Sequence, residues 1–183
     1  SINAKVYQVG LDRKQLVSVL EKKDFALGYD LIIYNACLAE NTKKIWQDNL
    51  IRQTKENSVP MILLHCGLQN FKPKNVGAYL AGLNPLRDKT PWTDTDVSEG
   101  ISDWWKFTGM ATAVHSPIKS FEIRKSADHP ITANVAADWQ PPADELYSEI
   151  RRSSRVQPLI TSKNGKKLIA WLHPAGNSQI FAM

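Results

Sequence analysis

The sequence predicts a single α/β domain over residues 1–183, with three layers in which a mostly parallel sheet is flanked by helices. Two short apolar runs, at 31–34 and 61–64, lack the polar alternation of a half-exposed strand and are typical of strands buried on both faces. Helical patterns separate these runs, and a β-α-β-α-β order favours right-handed crossovers and a parallel sheet, in which the two runs are predicted to be adjacent central strands. A chain of 183 residues is long enough to bury such a core.

The composition excludes several classes of function. Hydrophobic residues make up 43% of the chain and charged residues 22%, which is ordinary for a soluble globular protein. No apolar run approaches the roughly 18–20 residues that a membrane-spanning helix needs, so no membrane partner is predicted. The net charge of +5 comes from scattered basic residues, and without a long basic tract we expect no nucleic-acid partner. The compartment, cytoplasmic or exported, and the oligomeric state stay open.

The elements of the first third follow from capping residues and apolar spacing. Asp12 can cap a helix over residues 13–22, where leucine and valine side chains form one apolar stripe. Asn41 or Thr42 can cap a longer helix that reaches about residue 57. The predicted strands of this part lie at 5–9, 31–34 and 61–64.

The middle of the chain, residues 68–106, is irregular and rich in proline. A long insertion in a compact domain is usually a lid or a binding loop, so we expect residues 82–106 to form a wall or lid over a ligand pocket. A short helix is predicted at 76–81. Beyond the insertion, strands are predicted at 118–124, 156–161, 167–172 and 179–183, with turns at 129–132 and 173–177.

Polar residues follow the apolar run 61–64 directly. His65 and Cys66 stand at its end, ahead of Gly67, which allows a sharp turn. In open parallel sheets the carboxyl ends of the strands carry the ligand site, so His65 is a candidate site residue. The alternative is a structural histidine whose hydrogen bonds are satisfied locally.

The two cysteines suggest little special chemistry. A nucleophile elbow around Cys66 would require glycine two residues before it and two after it, and both positions hold leucine. A cysteine–histidine triad is therefore not predicted, and Cys66 is interpreted as a small buried residue. Without a CxxC pattern, Cys37 and Cys66 are predicted to be free thiols.

Asp144 and Glu145 are adjacent carboxylates. Adjacent side chains of an extended chain point in opposite directions, so only one of the two is expected to face a site. Glu145 is favoured, and Asp144 would then form a cap or pair with an arginine. Tyr147 lies two residues beyond Glu145 and would share its side of the chain.

Several motifs occur together in the order and rough spacing of one family. They are Ile-Leu-Leu-His at 62–65, the stretch from Trp105 through Gly109 to His115, Asp-His-Pro-Ile-Thr at 128–132, Asp-Glu-Leu-Tyr at 144–147, and Ile-Ala-Trp at 169–171 followed by Gly176. In these motifs the sequence resembles the trehalose-utilization (ThuA-like) family over roughly residues 5–183. The His-Pro-Ile-Thr and Asp-Glu-Leu-Tyr motifs are the most specific part of the resemblance.

The resemblance implies a flavodoxin-like fold similar to that of the class I glutamine amidotransferases, and a link to sugar metabolism. Members of the family usually carry a further strand and helix before the first strand, so this chain is expected to lack them. They also commonly continue with Gly-His after the final strand, whereas this chain stops at Met183. A glycine-rich segment usually precedes their central histidine, and residues 56–60 here are not of that kind.

The resemblance also supplies companions for His65. His115 and His129 match the family pattern, and we expect both to meet His65 and Glu145 in one pocket. The candidate catalytic residues are His65, His129 and Glu145, and the candidate substrate-binding residues are His115, Trp104, Trp105, Asp144 and Tyr147. Core packing is the alternative for the tryptophans, and bracing the turn before Pro130 is the alternative for His129. No cofactor is predicted, because no HxH or HExxH spacing is present; a metal bound by histidines is the remaining alternative.

The predicted function is acid/base chemistry on a small-molecule carbohydrate, either trehalose or a related sugar or keto-sugar, because histidine gives and takes protons near neutral pH. The alternative is a non-catalytic carbohydrate-binding or accessory domain that uses the same pocket for recognition. Glutamine amidotransferase activity is not expected. Turnover that depends on pH and is lost on substitution would separate the two hypotheses.

Overall fold

The computed structural model describes residues 3, 5, 13–38, 43–72, 91–93, 101–136 and 139–183. Several predicted features lie outside the described residues: the strand at 5–9 apart from residue 5, the cap at Asp12, the helix at 76–81 and most of the lid at 82–106. Within the described ranges, none of the helices has both the length and the apolar character that crossing a membrane requires.

Helices and strands alternate in the first half of the chain, and strands dominate the second half, so the fold is mixed α/β. The helices are α1 (Arg13–Leu20), α2 (Lys44–Lys55) and α3 (Asp103–Thr108), with 3-10 helices at His65–Gln69 and Pro130–Thr132. The strands are β1 (Ile32–Tyr34), β2 (Met61–Leu63), β3 (Met110–His115), β4 (Ile123–Lys125), β5 (Tyr147–Arg152), β6 (Gln157–Ser162), β7 (Leu168–Ala175) and β8 (Ser178–Ala182).

Six of the described strands form one mixed sheet in the order β1-β2-β8-β7-β6-β4. β1, β2 and β8 run parallel, whereas β8, β7, β6 and β4 pair as antiparallel neighbours. The prediction of a mostly parallel sheet is therefore wrong for the described strands. The reason is the short connection at Gly176 and Asn177, because a two-residue turn can only join antiparallel strands. β7 also runs to Ala175, through most of the predicted turn at 173–177.

The two apolar runs are neighbours, as predicted. Ile32 pairs with Met61 and Tyr34 pairs with Leu63 in parallel register. β1 is not central, however: it ends the sheet among the described strands, and Ile33 in it is 65% exposed. An uninterrupted apolar run does not by itself distinguish an edge strand from a central one.

Helix α2 is held to the preceding segment by buried polar side chains. Its N-terminal cap is Lys43, whose side chain makes no capping hydrogen bond. The predicted caps, Asn41 and Thr42, lie outside the described residues. The Asn49 amide donates to the carbonyl of Leu20 at 2.8 Å, and the Gln53 amide donates to the carbonyl of Lys23 at 2.7 Å. Because both side chains are buried and bonded, they fix α2 against the end of α1 without an unsatisfied polar group.

Helix α3 begins and ends with standard capping groups. The Ser102 hydroxyl accepts the Trp105 N–H, and Gly109 ends the helix with a φ of 79°, in the left-handed region. The helix buries Trp104, Trp105 and Phe107 completely in the main core. The side chains of this helix therefore fill part of the main core. β3 begins directly after the helix.

β3 and β5 form a separate two-stranded antiparallel sheet, which the sequence pattern did not predict. The pairing brings His115 opposite Tyr147, with register shifts on either side of Thr112. Such irregularities break the alternation of apolar and polar residues, so a period-two pattern is weak here. The strand predicted at 118–124 is found only as the short β4 and an isolated bridge from Lys119 to Asp144.

Candidate functional site

The site lies where β1, β2 and β8 end. His65 follows β2, and its N–H donates to the carbonyl of Met183, just beyond β8, at 2.8 Å. The Leu64 N–H donates to the carbonyl of Tyr34, the last residue of β1, at 3.0 Å. Since the three strands are parallel, their carboxyl ends meet at one edge, and His65 stands at this edge as predicted.

The backbone of His65 is in a rarely used conformation. Its φ of 47° lies in the left-handed region, which few residues other than glycine adopt. The conformation turns the chain abruptly from β2 into the 3-10 helix His65–Gln69. Strained backbone of this kind is often found at functional sites, where surrounding contacts maintain it.

The carboxylates reach His65 from a different part of the chain. The backbone of Asp144 pairs with Lys119 through two hydrogen bonds, of 3.1 and 3.2 Å. The Leu146 carbonyl accepts the Ser116 N–H at 2.9 Å, and β5 then starts at Tyr147. The segment 144–147 is thus fixed against 115–119. These hydrogen bonds continue the antiparallel pairing of β3 with β5.

Glu145 is the centre of the polar cluster. One carboxylate oxygen lies 2.8 Å from His115 Nδ1, and the other accepts the Tyr147 hydroxyl at 3.0 Å. The side chain of Glu145 is only 15% exposed, so its oxygens are paired with these two neighbours rather than with bulk water. His115 and Tyr147 therefore hold the carboxylate in one orientation.

His65 contacts the cluster through both ring nitrogens. Nε2 lies 3.2 Å from Asp144 Oδ1 and 3.5 Å from Glu145 Oε1. Nδ1 lies 3.4 Å from the Tyr147 hydroxyl and 3.3 Å from the sulfur of Cys66. A proton on either nitrogen therefore has an acceptor within reach, which is the geometry that proton exchange requires.

Tyr147 is held in its neutral form. Partial burial raises the pKa of the Tyr147 phenol, and its hydrogen bond to the Glu145 carboxylate, together with the negative charges of Glu145 and Asp144, raises this pKa further. Tyr147 therefore acts as a hydrogen-bond donor in this cluster over the whole neutral pH range.

A cavity of about 320 Å³ opens beside this cluster. Its volume is at the lower end of the range that small-molecule sites occupy, and a mostly apolar wall with a few polar groups is typical of such sites. The cavity is lined by Asn35, Leu64, His65, Leu68, Met110, Phe121, Asp144, Glu145, Leu146, Tyr147, Leu168, Ile169, Trp171 and Met183.

The structure brings together five of the predicted site residues. His65, Asp144, Glu145 and Tyr147 line the cavity, and His115 contacts Glu145 without lining it. The expectation that only one of the two carboxylates faces the site is wrong, because both approach Nε2 of His65. The chain bends at Ala143, and Oδ1 of Asp144 accepts the N–H of Glu145 at 2.8 Å, so the opposite orientation of an extended chain does not apply.

His129 is not brought to this cavity. Its Nδ1 accepts the N–H of Ile131 at 3.2 Å, so the ring caps the short helix Pro130–Thr132. This is the bracing role that the sequence offered as the alternative. The described residues that line the cavity do not include it.

Trp104 and Trp105 are completely buried, which corrects their assignment to the substrate. The Trp104 ring packs against Phe71 with a centroid separation of 4.9 Å, and its indole N–H donates to the Gly67 carbonyl at 3.2 Å. With no exposed face, neither ring can stack on a ligand. Trp104 instead supports the 3-10 helix that begins at His65.

Several lining residues were not predicted, notably Phe121, Trp171 and Met183. They come from three separate segments, and none carries a polar group that would single it out as a site residue. The segment that contains Phe121 was predicted as a strand, and Trp171 lies in the strand predicted at 167–172. Trp171 ends one of the motifs of the resemblance, but no signal in the sequence connects Phe121 or Met183 with the segment 144–147.

Cys37 and Cys66 form a disulfide, so the prediction of two free thiols is wrong. Cys37 follows β1 and Cys66 follows β2, and parallel pairing of the two strands brings their ends to a Cα separation of 4.9 Å. That separation suits a disulfide. Neither cysteine carries a sequence pattern that indicates its partner, so the bond follows only from the pairing of β1 with β2.

Metal ligation was the alternative left open for the histidines. Within the ranges that the structure describes, no group of three or more histidine, cysteine, aspartate or glutamate side chains is arranged to hold a metal ion.

Comparisons with known proteins add a statement about the fold. No family model and no curated protein matches the sequence. Among solved structures, a protein provisionally described as ThuA-like, from Parabacteroides merdae ATCC 43184, superposes with a TM-score of 0.51 at 15% sequence identity. The match covers 85% of this chain and 59% of that protein, so the chain spans less than two thirds of its neighbour's length. This chain therefore shares an α/β fold with a protein described as ThuA-like.

Proposed function

We propose that this protein serves carbohydrate utilization by acid/base chemistry on a sugar or keto-sugar bound beside His65. The proposal includes a flavodoxin-like layering and a single ThuA-like domain over residues 1–183. It rests above all on the Glu145 carboxylate, which has one oxygen against His115 and the other against Tyr147 and His65. The similarity in fold to a protein described as ThuA-like is consistent with it.

In this proposal His65 is the general base. One of its nitrogens takes a proton from a substrate hydroxyl or from a carbon next to a carbonyl group, and the carboxylates at Nε2 stabilise the resulting positive charge. Glu145 orients His65 and the substrate. His115 and Tyr147 keep Glu145 in place, and the neutral Tyr147 hydroxyl is available as a hydrogen-bond donor.

The cavity wall suits a sugar ring. Apolar surface from Leu64 and Phe121 can cover the C–H faces of a pyranose, while the polar cluster can bind its hydroxyl groups. The volume is in the range of a small-molecule site, so a monosaccharide or its oxidised derivative is the ligand class that we propose.

A screen of sugars and keto-sugars by calorimetry, followed by analysis of products, tests this function. For a substrate found in this way, His65→Gln should lower turnover by roughly two to four orders of magnitude while circular dichroism shows an intact fold. Full turnover by His65→Gln would contradict the role of His65. Binding without turnover by the wild-type protein would favour the non-catalytic carbohydrate-binding alternative.

His129→Gln separates the geometric assignment from the sequence-based one. His129 lies outside the cavity, so its substitution should leave turnover close to that of the wild-type protein. An equal loss of turnover in His129→Gln and His65→Gln would show that His129 belongs to the site, and would contradict the arrangement proposed here.

A further inference from the structure

The disulfide Cys37–Cys66 lies directly against the proposed site. Nδ1 of His65 is 3.3 Å from the sulfur of Cys66, and the Tyr147 hydroxyl is 3.4 Å from the same nitrogen. Cys37 is an exposed residue, whereas Cys66 is half-buried. The two sulfurs therefore differ: one belongs to a residue open to solvent, and the other has an imidazole beside it.

We propose that Cys37–Cys66 is a thiol–disulfide exchange site that reacts with dithiols. In this assignment the sulfur of Cys37 receives the attack and the sulfur of Cys66 is the leaving group. The assignment does not depend on the carbohydrate function proposed above, because its measurements concern only the two sulfurs.

The exchange can be followed atom by atom. A thiolate of the dithiol attacks Cys37 Sγ, the sulfur–sulfur bond breaks, and its electron pair goes to Cys66 Sγ. The second thiol of the dithiol then displaces Cys37 and closes a disulfide within the reductant. Two electrons and two protons pass from the dithiol to the two cysteines, so the protein is reduced and the dithiol is oxidised.

His65 determines which of the two sulfurs is the leaving group. A protonated imidazole beside a cysteine stabilises the thiolate, and a stabilised thiolate leaves faster. In its protonated form His65 would have Cys66 sulfur at Nδ1 and the carboxylates of Asp144 and Glu145 at Nε2. Once the sulfur–sulfur bond has broken, the positive charge would thus have the Cys66 thiolate on one side of the ring and the carboxylates on the other.

Two single-cysteine variants test whether the thiol of Cys66 is more reactive than that of Cys37. Cys37→Ser leaves Cys66 as the only thiol, and Cys66→Ser leaves Cys37. At neutral pH, alkylation by iodoacetamide, followed by intact-protein mass spectrometry, should be at least about ten times faster for Cys66, although Cys66 is the less exposed residue. Adding His65→Gln to Cys37→Ser should remove this advantage, and adding His129→Gln as a matched control should not.

Faster alkylation of Cys37 than of Cys66, or an undiminished rate after His65→Gln, would overturn the proposal. The unmodified chain provides a second test that no folding defect of a variant can obscure. Dithiothreitol in native buffer should convert it from no alkylatable cysteine to two, with unchanged far-ultraviolet circular dichroism. Reduction that occurs only in denaturant would equally overturn the proposal.

Discussion

Tyr147 shows how one residue reports on the polar cluster. Its hydroxyl donates to Glu145 Oε1 and lies near Nδ1 of His65, and its ring stands edge-on to both histidine rings at centroid distances of 5.7 and 5.9 Å. Burial raises the pKa of Tyr147, and the bond to Glu145 raises it further. The phenol is therefore a sensitive probe of whether Glu145 is in the position that we describe.

Glu145→Gln should lower the pKa of Tyr147 toward its usual value near 10, because the charged acceptor is lost while the burial remains. Ultraviolet absorbance of the phenolate during an alkaline titration measures this change. Subtracting the titration of the matching Tyr147→Phe variant removes the signal of the other tyrosines. An unchanged or raised pKa in Glu145→Gln would contradict the hydrogen bond between the two side chains.

The same shift fixes the sign of a pH effect on stability. Because the folded chain holds the proton of Tyr147 more tightly than the unfolded chain does, its contribution to the free energy of unfolding is complete below pH 10. This contribution is lost progressively as the pH rises above that value.

At the scale of elements, the hairpin of β7 and β8 is fitted to the end of α2. Gly176 in its turn has a φ of 62°, and a Cβ atom there would lie 2.8 Å from Lys55 Cα. Gly28 also has a positive φ, of 87°, but a Cβ atom there would meet nothing within 4 Å. An alanine at Gly28 would thus meet backbone strain alone, whereas an alanine at Gly176 would meet the same strain and a steric overlap with Lys55.

We expect Gly28→Ala to lower the free energy of unfolding by about 1 kcal/mol, the cost of placing an alanine in the left-handed region. Gly176→Ala should lower it by about 3 kcal/mol, because the overlap with the backbone of α2 adds to the same strain. Urea denaturation of both variants measures the difference. Equal losses would show that the turn does not pack against α2 as described.

At the scale of the whole molecule, the disulfide closes a long loop. Its cysteines are 29 residues apart, and the loop includes α2 and the connection between two paired strands. Closing a loop of that length removes conformational entropy from the unfolded chain, which corresponds to about 3–4 kcal/mol at 25 °C in the chain-entropy description.

The double variant Cys37→Ser, Cys66→Ser should therefore unfold with a free energy about 3–4 kcal/mol below that of the oxidised chain. Chemical denaturation with and without a reductant measures this loss. The reduced wild-type chain is the control, and it should match the double variant. Equal stability of the oxidised chain and the double variant would show that the bond does not constrain the unfolded state.

Much of the local organisation was contained in the sequence itself. The apolar run at 61–64 predicted β2 and the position of His65 at its end, and the shared side of Glu145 and Tyr147 agrees with the hydrogen bond between them. These features depend on residues that are close along the chain. Their periodicity, capping and spacing are therefore visible without knowledge of the tertiary structure.

The composition of the site was decided only by the tertiary structure. His65 meets Asp144 and Tyr147 across 79 and 82 residues, and the ribbon of β3 and β5 that positions them had no clear pattern. The burial of Trp104 and Trp105, the antiparallel half of the sheet and the bond between Cys37 and Cys66 likewise depend on which distant segments become neighbours. The conformational propensities of neighbouring residues determine the secondary structure of a segment. Which segments meet depends on loop closure and on the packing of the entire core, to which every part of the chain contributes.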